Sequence, residues 1–334
     1  MRFAKRPALA WLTLGLGLAG PAQADEMLFE VDLAIGAPVA LAADPTGVRV
    51  AVADATTVAV LDAADGRPVA SFAIDGCCIA DMVFVDVERL AIALDGGDGP
   101  APAAGMQIRD AASGALLYAD AGTGGCRQLD FSAHGLMLVG ACEAGGPVWS
   151  LSGDGPARTA LLGDRPLQSA AIDPGGELAV FAPSALPAAR GPAETVTLYQ
   201  LTGKEGPLET FGLSAPVLHL DWVGAPDFIA VTADGRLVRL GFGGAVTDLR
   251  GGLDPETAAG LEPSPWGRMI AGDFVDGALI AAGDGAAVGT DAAVPMRGRG
   301  LWAFGADSPA LFWLGQPPTY PAPVLRRWQV DEPF

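Results

Sequence analysis

The sequence predicts an all-β fold made of repeated four-stranded sheets, and three observations lead to this prediction. Half of the residues are hydrophobic, but they occur as short runs of Ala and Val rather than as stripes with helical spacing. The 46 glycines and 27 prolines interrupt the chain too often for long helices. Short apolar runs flank turn residues in six successive cassettes, at intervals of roughly 40 to 50 residues.

Each cassette opens with a turn between two apolar runs. The first turn is Asp44-Pro45-Thr46-Gly47, which lies between Val-Ala-Leu-Ala-Ala before it and Val-Arg-Val-Ala-Val after it. The six turns lie at 44–47, 86–88, 132–135, 173–176, 224–227 and 276–277. A second hairpin signal follows each of them, at 58–66, 107–114, 148–155, 198–204, 237–243 and 301–307. Asp, Gly, Ser and Pro supply the backbone angles that tight turns need, so each cassette predicts four strands in two hairpins.

Four-stranded units at this spacing indicate a β-propeller, in which each unit forms one blade around a central channel. A two-sheet sandwich would need one long set of alternating strands instead of paired hairpins. Segments 27–33 and 323–330 are left over, and their length predicts that strands from both chain ends close the ring. We therefore expect six four-stranded blades, or alternatively seven.

The turn tetrads carry a resemblance to a known family. Asp44-Pro45-Thr46-Gly47 and Asp173-Pro174-Gly175-Gly176 resemble the Ser-Pro-Asp-Gly type turns of WD40-like and YVTN-type propellers in exported bacterial proteins. The resemblance covers nearly all of residues 27–330 and implies the propeller fold. The Gly-His and Trp-Asp dipeptides of eukaryotic WD40 repeats are absent.

Residues 1–24 have the pattern of an export signal. Arg2, Lys5 and Arg6 form a basic segment, residues 8–18 are apolar, and Ala22-Gln23-Ala24 has the small-x-small pattern expected of a signal peptidase cleavage site. The alternative is an uncleaved anchor, but the apolar run is shorter than the ~20 residues that span a bilayer. We expect a propeller domain at 25–334 in the periplasm or secreted, with no stable membrane anchor after cleavage.

The predicted mature chain is strongly acidic. The full chain has 20 basic and 39 acidic residues, and the signal contributes three basic residues and no acid, which leaves 17 and 39 and a net charge of −22. Such a surface disfavours nucleic acid and anionic lipid. It suits solubility, a basic protein partner, or cations.

The sequence contains no complete catalytic motif. Cys-x-x-Cys-His, His-Glu-x-x-His, Gly-x-Ser-x-Gly and Walker-type runs are all absent. Of the two histidines, His134 lies in a predicted turn, whereas His219 alternates along a predicted innermost strand and is a candidate ligand residue. We predict no catalytic residue, no metal site and no cofactor.

Three insertions interrupt the cassettes at 95–105, 183–194 and 286–299. We expect all three on one face, where loops on a rigid scaffold usually form a recognition surface. Asp95 and Asp98 in the first insertion are candidate calcium ligands, but their spacing differs from known calcium loops and favours a solvated loop.

The four cysteines are disulfide candidates. Cys126 and Cys142 lie eight residues on either side of His134, so a hairpin places them nearly opposite each other. Cys77 and Cys78 occupy the matching position one cassette earlier. Two pairings stay open: Cys77 with Cys78 plus Cys126 with Cys142, or Cys126 with one of the adjacent pair. Structural disulfides are favoured over a redox function or a thiolate site for Cu(I) or Zn²⁺.

A bond between Cys77 and Cys78 would resemble the adjacent-cysteine feature of pyrroloquinoline-quinone dehydrogenases, which are also propellers. The repeated Trp docking motifs of those enzymes are not found in this sequence.

We expect a non-catalytic propeller that acts as an interaction scaffold or an accessory subunit, as the large subunits of bacterial amine dehydrogenases do on this fold. The alternative is an enzyme or a small-molecule or metal binder that uses the channel mouth, like quinoproteins and lactonases.

Overall fold

The computed structural model describes residues 24–75, 78–96, 105–153, 155–185, 194–202, 206–224, 227–254, 261–265, 267–274, 277–281, 285, 300–305, 310–317 and 320–330. In these ranges the regular elements are 27 β-strands arranged in seven antiparallel sheets. Each sheet is one blade of a propeller, so the predicted fold is confirmed. The described residues include no helix that is long and apolar enough to cross a membrane.

The first five blades each have four strands, which run in sequence order from the channel outward. Blade 1 is β2 (Ala40–Ala43), β3 (Arg49–Ala53), β4 (Thr57–Asp62) and β5 (Pro68–Ala73); blade 2 is β6 (Ile79–Phe84), β7 (Arg89–Leu94), β8 (Gly105–Asp110) and β9 (Leu116–Asp120). Blade 3 is β10 (Cys126–Ser132), β11 (Met137–Cys142), β12 (Gly146–Ser150) and β13 (Ala157–Leu162). Blade 4 is β14 (Leu167–Ile172), β15 (Leu178–Pro183), β16 (Thr195–Gln200) and β17 (Gly206–Gly212); blade 5 is β18 (Val217–Gly224), β19 (Asp227–Thr232), β20 (Leu237–Gly241) and β21 (Ala245–Arg250).

The last two blades differ from the others. Blade 6 has three described strands, β22 (Glu262–Pro263), β23 (Met269–Phe274) and β24 (Gly277–Ala281). Blade 7 is β25 (Gly300–Phe304), β26 (Ala310–Gly315), β27 (Val324–Val330) and, on its outer edge, β1 (Ala24–Asp32). Two chain ends thus share one blade, which confirms the predicted closure.

Side-chain contacts hold the closing strand β1 in place. β1 pairs with β27 from Ala24 opposite Val330 to Asp32 opposite Val324. The Glu30 carboxylate accepts a 2.6 Å hydrogen bond from Arg326 Nε and a 3.1 Å bond from the Tyr320 hydroxyl. Trp328, in the strand that β1 pairs with, is fully buried. The ring therefore closes through backbone pairing, an ion pair and apolar packing.

The blade count is seven, which was the alternative in the sequence-based prediction. The pattern at 276–281 and that at 301–307 were assigned to one cassette, but they belong to different blades. β24 is the third strand of blade 6, whereas β25 is the innermost strand of blade 7. Both strands are short apolar runs in the sequence, Gly-Ala-Leu-Ile-Ala and Gly-Leu-Trp-Ala-Phe, so the sequence pattern alone does not distinguish an innermost strand from a third strand.

The turns form as the tetrads predict. Asp44 is fully buried, and its carboxylate accepts hydrogen bonds from the backbone N–H groups of Thr46, at 2.7 Å, and Arg49. Asp173 makes the same kind of turn, and its Oδ1 accepts from Leu178 N at 2.6 Å. Gly47 and Gly176 have φ values of 71° and 72°, a conformation that glycine adopts without strain.

Neighbouring blades pack through the apolar faces of their sheets. Val58 and Val60 of blade 1 lie in one buried cluster with Phe84 and Ile92 of blade 2. Gly114, at the outer turn of blade 2, has φ 72°, and a Cβ there would lie 2.5 Å from the Phe72 ring of blade 1. Close inter-blade contact therefore reaches the outer strands.

The insertions are arranged differently from the prediction. Those at 95–105 and 183–194 both connect the second and third strands of a blade and so start from one face. The insertion at 286–299 follows β24, the third strand of blade 6, and precedes β25 of blade 7. It is therefore not at the equivalent position, and the prediction that all three insertions interrupt the same place in their blades is wrong. Residues 97–104, 186–193 and 286–299 lie outside the described residues.

Candidate functional site in the central channel

The seven innermost strands surround a channel. β2, β6, β10, β14, β18, β22 and β25 contact one another in this order, and β25 contacts β2 to complete the ring. The channel contains a cavity of about 280 Å³. Its polar lining comes from blades 2 to 6, as Asp81, Arg127, Gln128, Asp130, Gln168, His219, Asp221 and Glu262. Blades 1 and 7 contribute apolar groups such as Leu41 and Trp302.

A bulge recurs near the start of four innermost strands. The pairing with the second strand shifts by one residue between Ile79 and Asp81 in blade 2, and the same shift occurs in blades 3, 4 and 5. The residues that follow the bulge are Asp81, Gln128, Ser169 and His219. The repeat thus places polar side chains of different chemistry at one level of the channel wall.

Polar side chains at this level connect one blade to the next. Asp81 Oδ2 accepts a 2.8 Å hydrogen bond from Leu129 N. Ser169, which is fully buried, accepts a 2.6 Å bond from Leu220 N through Oγ and donates to Gln128 Oε1. These bonds satisfy backbone N–H groups of the innermost strands, which have no strand on the channel side to pair with.

A second level, two residues further along the strands, contains three carboxylates. Asp130 accepts from Phe131 N at 2.7 Å and from Ile172 N of the next blade at 2.8 Å. Glu262 accepts from the backbone N–H of Phe304 in the next blade. Asp221 accepts from its own neighbour, Trp222 N, at 2.6 Å.

Burial and the charges of neighbouring groups raise the pKa of three channel carboxyls, Asp81, Asp130 and Glu262. Desolvation, followed by the charge of Asp221, raises the pKa of Asp130 to about 8. Desolvation raises the pKa of Asp81 to about 6. The pKa of Glu262 lies well above its usual value because of desolvation first and the charges of Asp221 and Asp130 second. Each of these side chains remains partly exposed to the channel, so it is better solvated than a group in a closed hydrophobic core.

His219, the predicted ligand candidate, lies in this cavity. Its Nε2 is 3.7 Å from Asp221 Oδ2, which is too long for a hydrogen bond. Nε2 is buried and has no hydrogen-bond partner among the described residues. No group of three His, Cys, Asp or Glu side chains in the described ranges has the arrangement of a metal site.

The other candidate residues lie elsewhere. Asp95 follows β7, does not line the cavity, and donates its backbone N–H to the Cys78 carbonyl at 3.0 Å. Asp98 lies outside the described residues. His134 is exposed in the turn between β10 and β11, as expected.

The disulfide joins Cys126 of β10 to Cys142 of β11, and both residues are fully buried. The alternative, in which Cys126 pairs with one of the adjacent cysteines, is therefore wrong. The cross-strand register places Cys126 directly opposite Cys142, which explains the bond. Cys78 is also disulfide-bonded. Cys77 lies outside the described residues, so the bond between Cys77 and Cys78 stays a prediction.

The sequence reasoning missed the channel carboxylates. Asp81, Asp130 and Asp221 were not singled out because acidic residues are abundant throughout the chain. A signal was present: each is followed by a large apolar residue within a predicted strand, as in Asp130-Phe131 and Asp221-Trp222. Acidic residues that recur in the innermost strands of several cassettes indicate that these residues line a common channel.

These features define the class of the protein as a β-propeller with a polar channel. The chain is similar to a solved β-propeller domain, that of Cps50 (Swd1) from Myceliophteria thermophila, with a TM-score of 0.66 and 9% sequence identity. The match covers 91% of this chain and 100% of that domain. At this identity the likeness shows the fold alone. No family model matches the sequence, and no curated protein matches it.

Proposed function

We propose that the chain is an exported, non-catalytic propeller that binds a protein partner on its outer surface, as a scaffold or accessory subunit of a periplasmic system. The observation that carries this proposal is the set of outermost strands, here called the rim: β5, β9, β13, β17 and β21. Each rim strand lies at the outer end of its sheet and exposes apolar side chains.

The rim is most apolar at blade 2. Leu116 and Leu117 at the start of β9 are 53% and 52% exposed. Successive side chains in a strand point to opposite faces, so both faces of β9 present leucine to solvent. The outer edge of β9 pairs with no strand in the described residues. An open strand edge with exposed apolar side chains is a surface to which an extended segment of another protein can add.

Charge supports a basic partner. The net charge of −22 expected after signal removal repels anionic surfaces and attracts basic ones. Electrostatic attraction accelerates encounter, whereas apolar contact at the rim provides the short-range affinity. The partner proposed here is therefore a basic protein of the same compartment.

A pull-down from periplasmic extract tests the proposal, with the mature chain as bait at about 50 mM and about 500 mM salt. We expect one partner at low salt and weaker recovery at high salt, since screening reduces the attraction between exposed charges. The variant with Leu116→Ser and Leu117→Ser should lose that partner, whereas Leu208→Ser on the rim of blade 4 should retain it. Recovery of the bait alone at both salt concentrations contradicts the proposal.

A further inference from the structure

The carboxylates of the channel follow a rule that connects one blade to the next. In blades 3 and 6, Asp130 and Glu262 each accept a hydrogen bond from the residue that precedes the first turn of the next blade. These donors are Ile172 and Phe304. The rule satisfies one oxygen of each buried carboxylate with a backbone N–H.

Blade 5 breaks the rule. The first turn of blade 6 begins at Ser264, whose carbonyl accepts a hydrogen bond from Gly267 N. The first turn of blade 4 has the same bond, from Gly176 N to the Asp173 carbonyl. Pro263 therefore precedes the turn of blade 6 as Ile172 precedes that of blade 4. Proline has no N–H. Asp221 Oδ2 consequently has no hydrogen-bond donor among the described residues, and the unpartnered His219 Nε2 lies 3.7 Å from it.

The cavity beside this gap is lined by more acidic than basic side chains. Four carboxyls line it, whereas Arg127 is its one permanently charged cation among the lining residues. Arg127 NH1 donates to Gln168 Oε1 at 3.4 Å. The Asp221 side chain is 21% exposed, and its Oδ2 lacks the backbone donor that Asp130 and Glu262 each have from the next blade, so this oxygen is open to a donor from a cation in the cavity.

We propose that the channel binds a small organic cation, through a primary ammonium group that donates to Asp221 in place of the N–H that Pro263 lacks. The about 280 Å³ cavity accommodates a molecule of a few carbon atoms. A primary ammonium has three donors, which suit separate carboxylates around a cavity. His219 gains a partner for Nε2 when its ring turns toward the bound cation.

An organic cation fits better than a metal ion. Calcium needs six to eight oxygen ligands around one point. The described residues provide no cluster of three potential metal ligands. The carboxylates are instead distributed over blades 2, 3, 5 and 6, as donors spaced along an organic molecule require.

Binding should release protons. The pKa of Asp130 is raised to about 8, so this carboxyl holds a proton at neutral pH, and desolvation also raises the pKa of Glu262. A cation favours their ionised forms and lowers these pKa values. The number of protons released is measurable independently of the affinity.

The test is isothermal titration of the mature chain at pH 7.5, in two buffers of different ionisation enthalpy. Butane-1,4-diamine is the probe, butane-1,4-diol is its uncharged control, and Ca²⁺ is a separate titrant. We expect the diamine to bind with proton release, and the diol not to bind. Equal heats for diamine and diol, or Ca²⁺ binding that excludes the diamine, overturn the proposal.

Two variants locate the site. Asp221→Asn removes the proposed contact and should weaken diamine binding at least tenfold. Pro263→Ala restores the missing N–H and should weaken binding at least threefold, because Asp221 then has an internal donor. Pro45→Ala, in the first turn of blade 1 and outside the cavity lining, is the matched control and should bind as wild type. Unchanged affinity in folded Pro263→Ala protein, judged by circular dichroism, contradicts the inference.

Discussion

The exposed turns and the central channel use aspartate in opposite ways. Asp110, in the outer turn of blade 2, accepts a 2.6 Å hydrogen bond from the Ser113 hydroxyl and a 2.7 Å bond from its backbone N–H, and these bonds lower its pKa. Asp130 in the channel also accepts two backbone bonds, yet desolvation raises its pKa to about 8. The same residue type thus stabilises a local turn in one region and holds a proton in the other.

Asp110 and Asp130 differ in where their hydrogen-bond donors and charged neighbours lie along the chain. The donors to the Asp110 carboxylate come from Ala112 and Ser113, two and three residues away along the chain. One donor of Asp130 comes from Ile172, in another blade, and its repulsive neighbours Asp221 and Asp81 come from blades 5 and 2. A turn aspartate is therefore defined by a tetrad of sequence, whereas a channel aspartate is defined by the closed ring.

The largest expected effect comes from the disulfide that connects the innermost strand of blade 3 to its neighbour. Replacing both Cys126 and Cys142 with alanine should lower the free energy of unfolding by about 3 kcal/mol, because a bond across 16 residues restricts the unfolded chain. Urea unfolding of the oxidised wild type and the double variant measures this loss. Leu117→Ala on the rim is the control, and its expected change is below about 0.5 kcal/mol. Equal losses in the two proteins would remove the distinction between inner and outer strands.

An effect of intermediate size is expected when a serine in the channel and a serine in an exposed turn are each replaced by alanine. Ser169→Ala should cost about 2 kcal/mol, because it removes a buried hydroxyl that accepts from Leu220 N and donates to Gln128. Ser113→Ala should cost less than about 1 kcal/mol, because its hydroxyl is exposed and water replaces the lost bond. Thermal or urea unfolding of both variants gives the two values. A larger loss for Ser113→Ala would show that the turns, rather than the channel contacts, determine stability.

Much of the fold could be predicted from the sequence because its signals are local. Turn tetrads such as Asp173-Pro174-Gly175-Gly176 define hairpins within a few residues, and eight residues on each side of His134 place Cys126 opposite Cys142. The number of blades was harder to predict from the sequence. The assignment of β25 to blade 7 depends on its pairing with β26 and on its contact with β2, which are visible only in the structure.

The channel site could be predicted least. His219 was identified from strand alternation, but Asp130 and Glu262 acquire their properties from blades that are distant in sequence. The role of Pro263 depends on its alignment with Ile172 and Phe304 in three different blades. Such an alignment becomes visible only when the strand register is known, because the cassettes differ in length.

The smallest expected effect, counted per pH unit and per carboxyl, is a pH dependence that separates the two aspartates. Between the unfolded pKa of 3.8 and the folded pKa of about 8, Asp130 keeps its proton in the folded protein and loses it in the unfolded chain. The folded state then binds more protons, so stability falls as pH rises through this range, by up to about 1.4 kcal/mol per pH unit for each such carboxyl. Asp81 and Glu262 act in the same direction because their pKa values are also raised.

Urea unfolding from pH 5 to pH 8 measures this slope. Asp130→Asn retains an oxygen acceptor but cannot ionise, so it should flatten the slope and gain stability relative to wild type at pH 8. The charged and titratable groups around it, Asp81, Asp221, Glu262, His219 and Arg127, remain in place. Asp110→Asn, the matched change in the turn, should leave the slope between pH 5 and 8 unaltered, since its lowered pKa places its titration below this range. If both variants flatten the slope equally, the proton is not held in the channel, and the contrast between ring and turn aspartates fails.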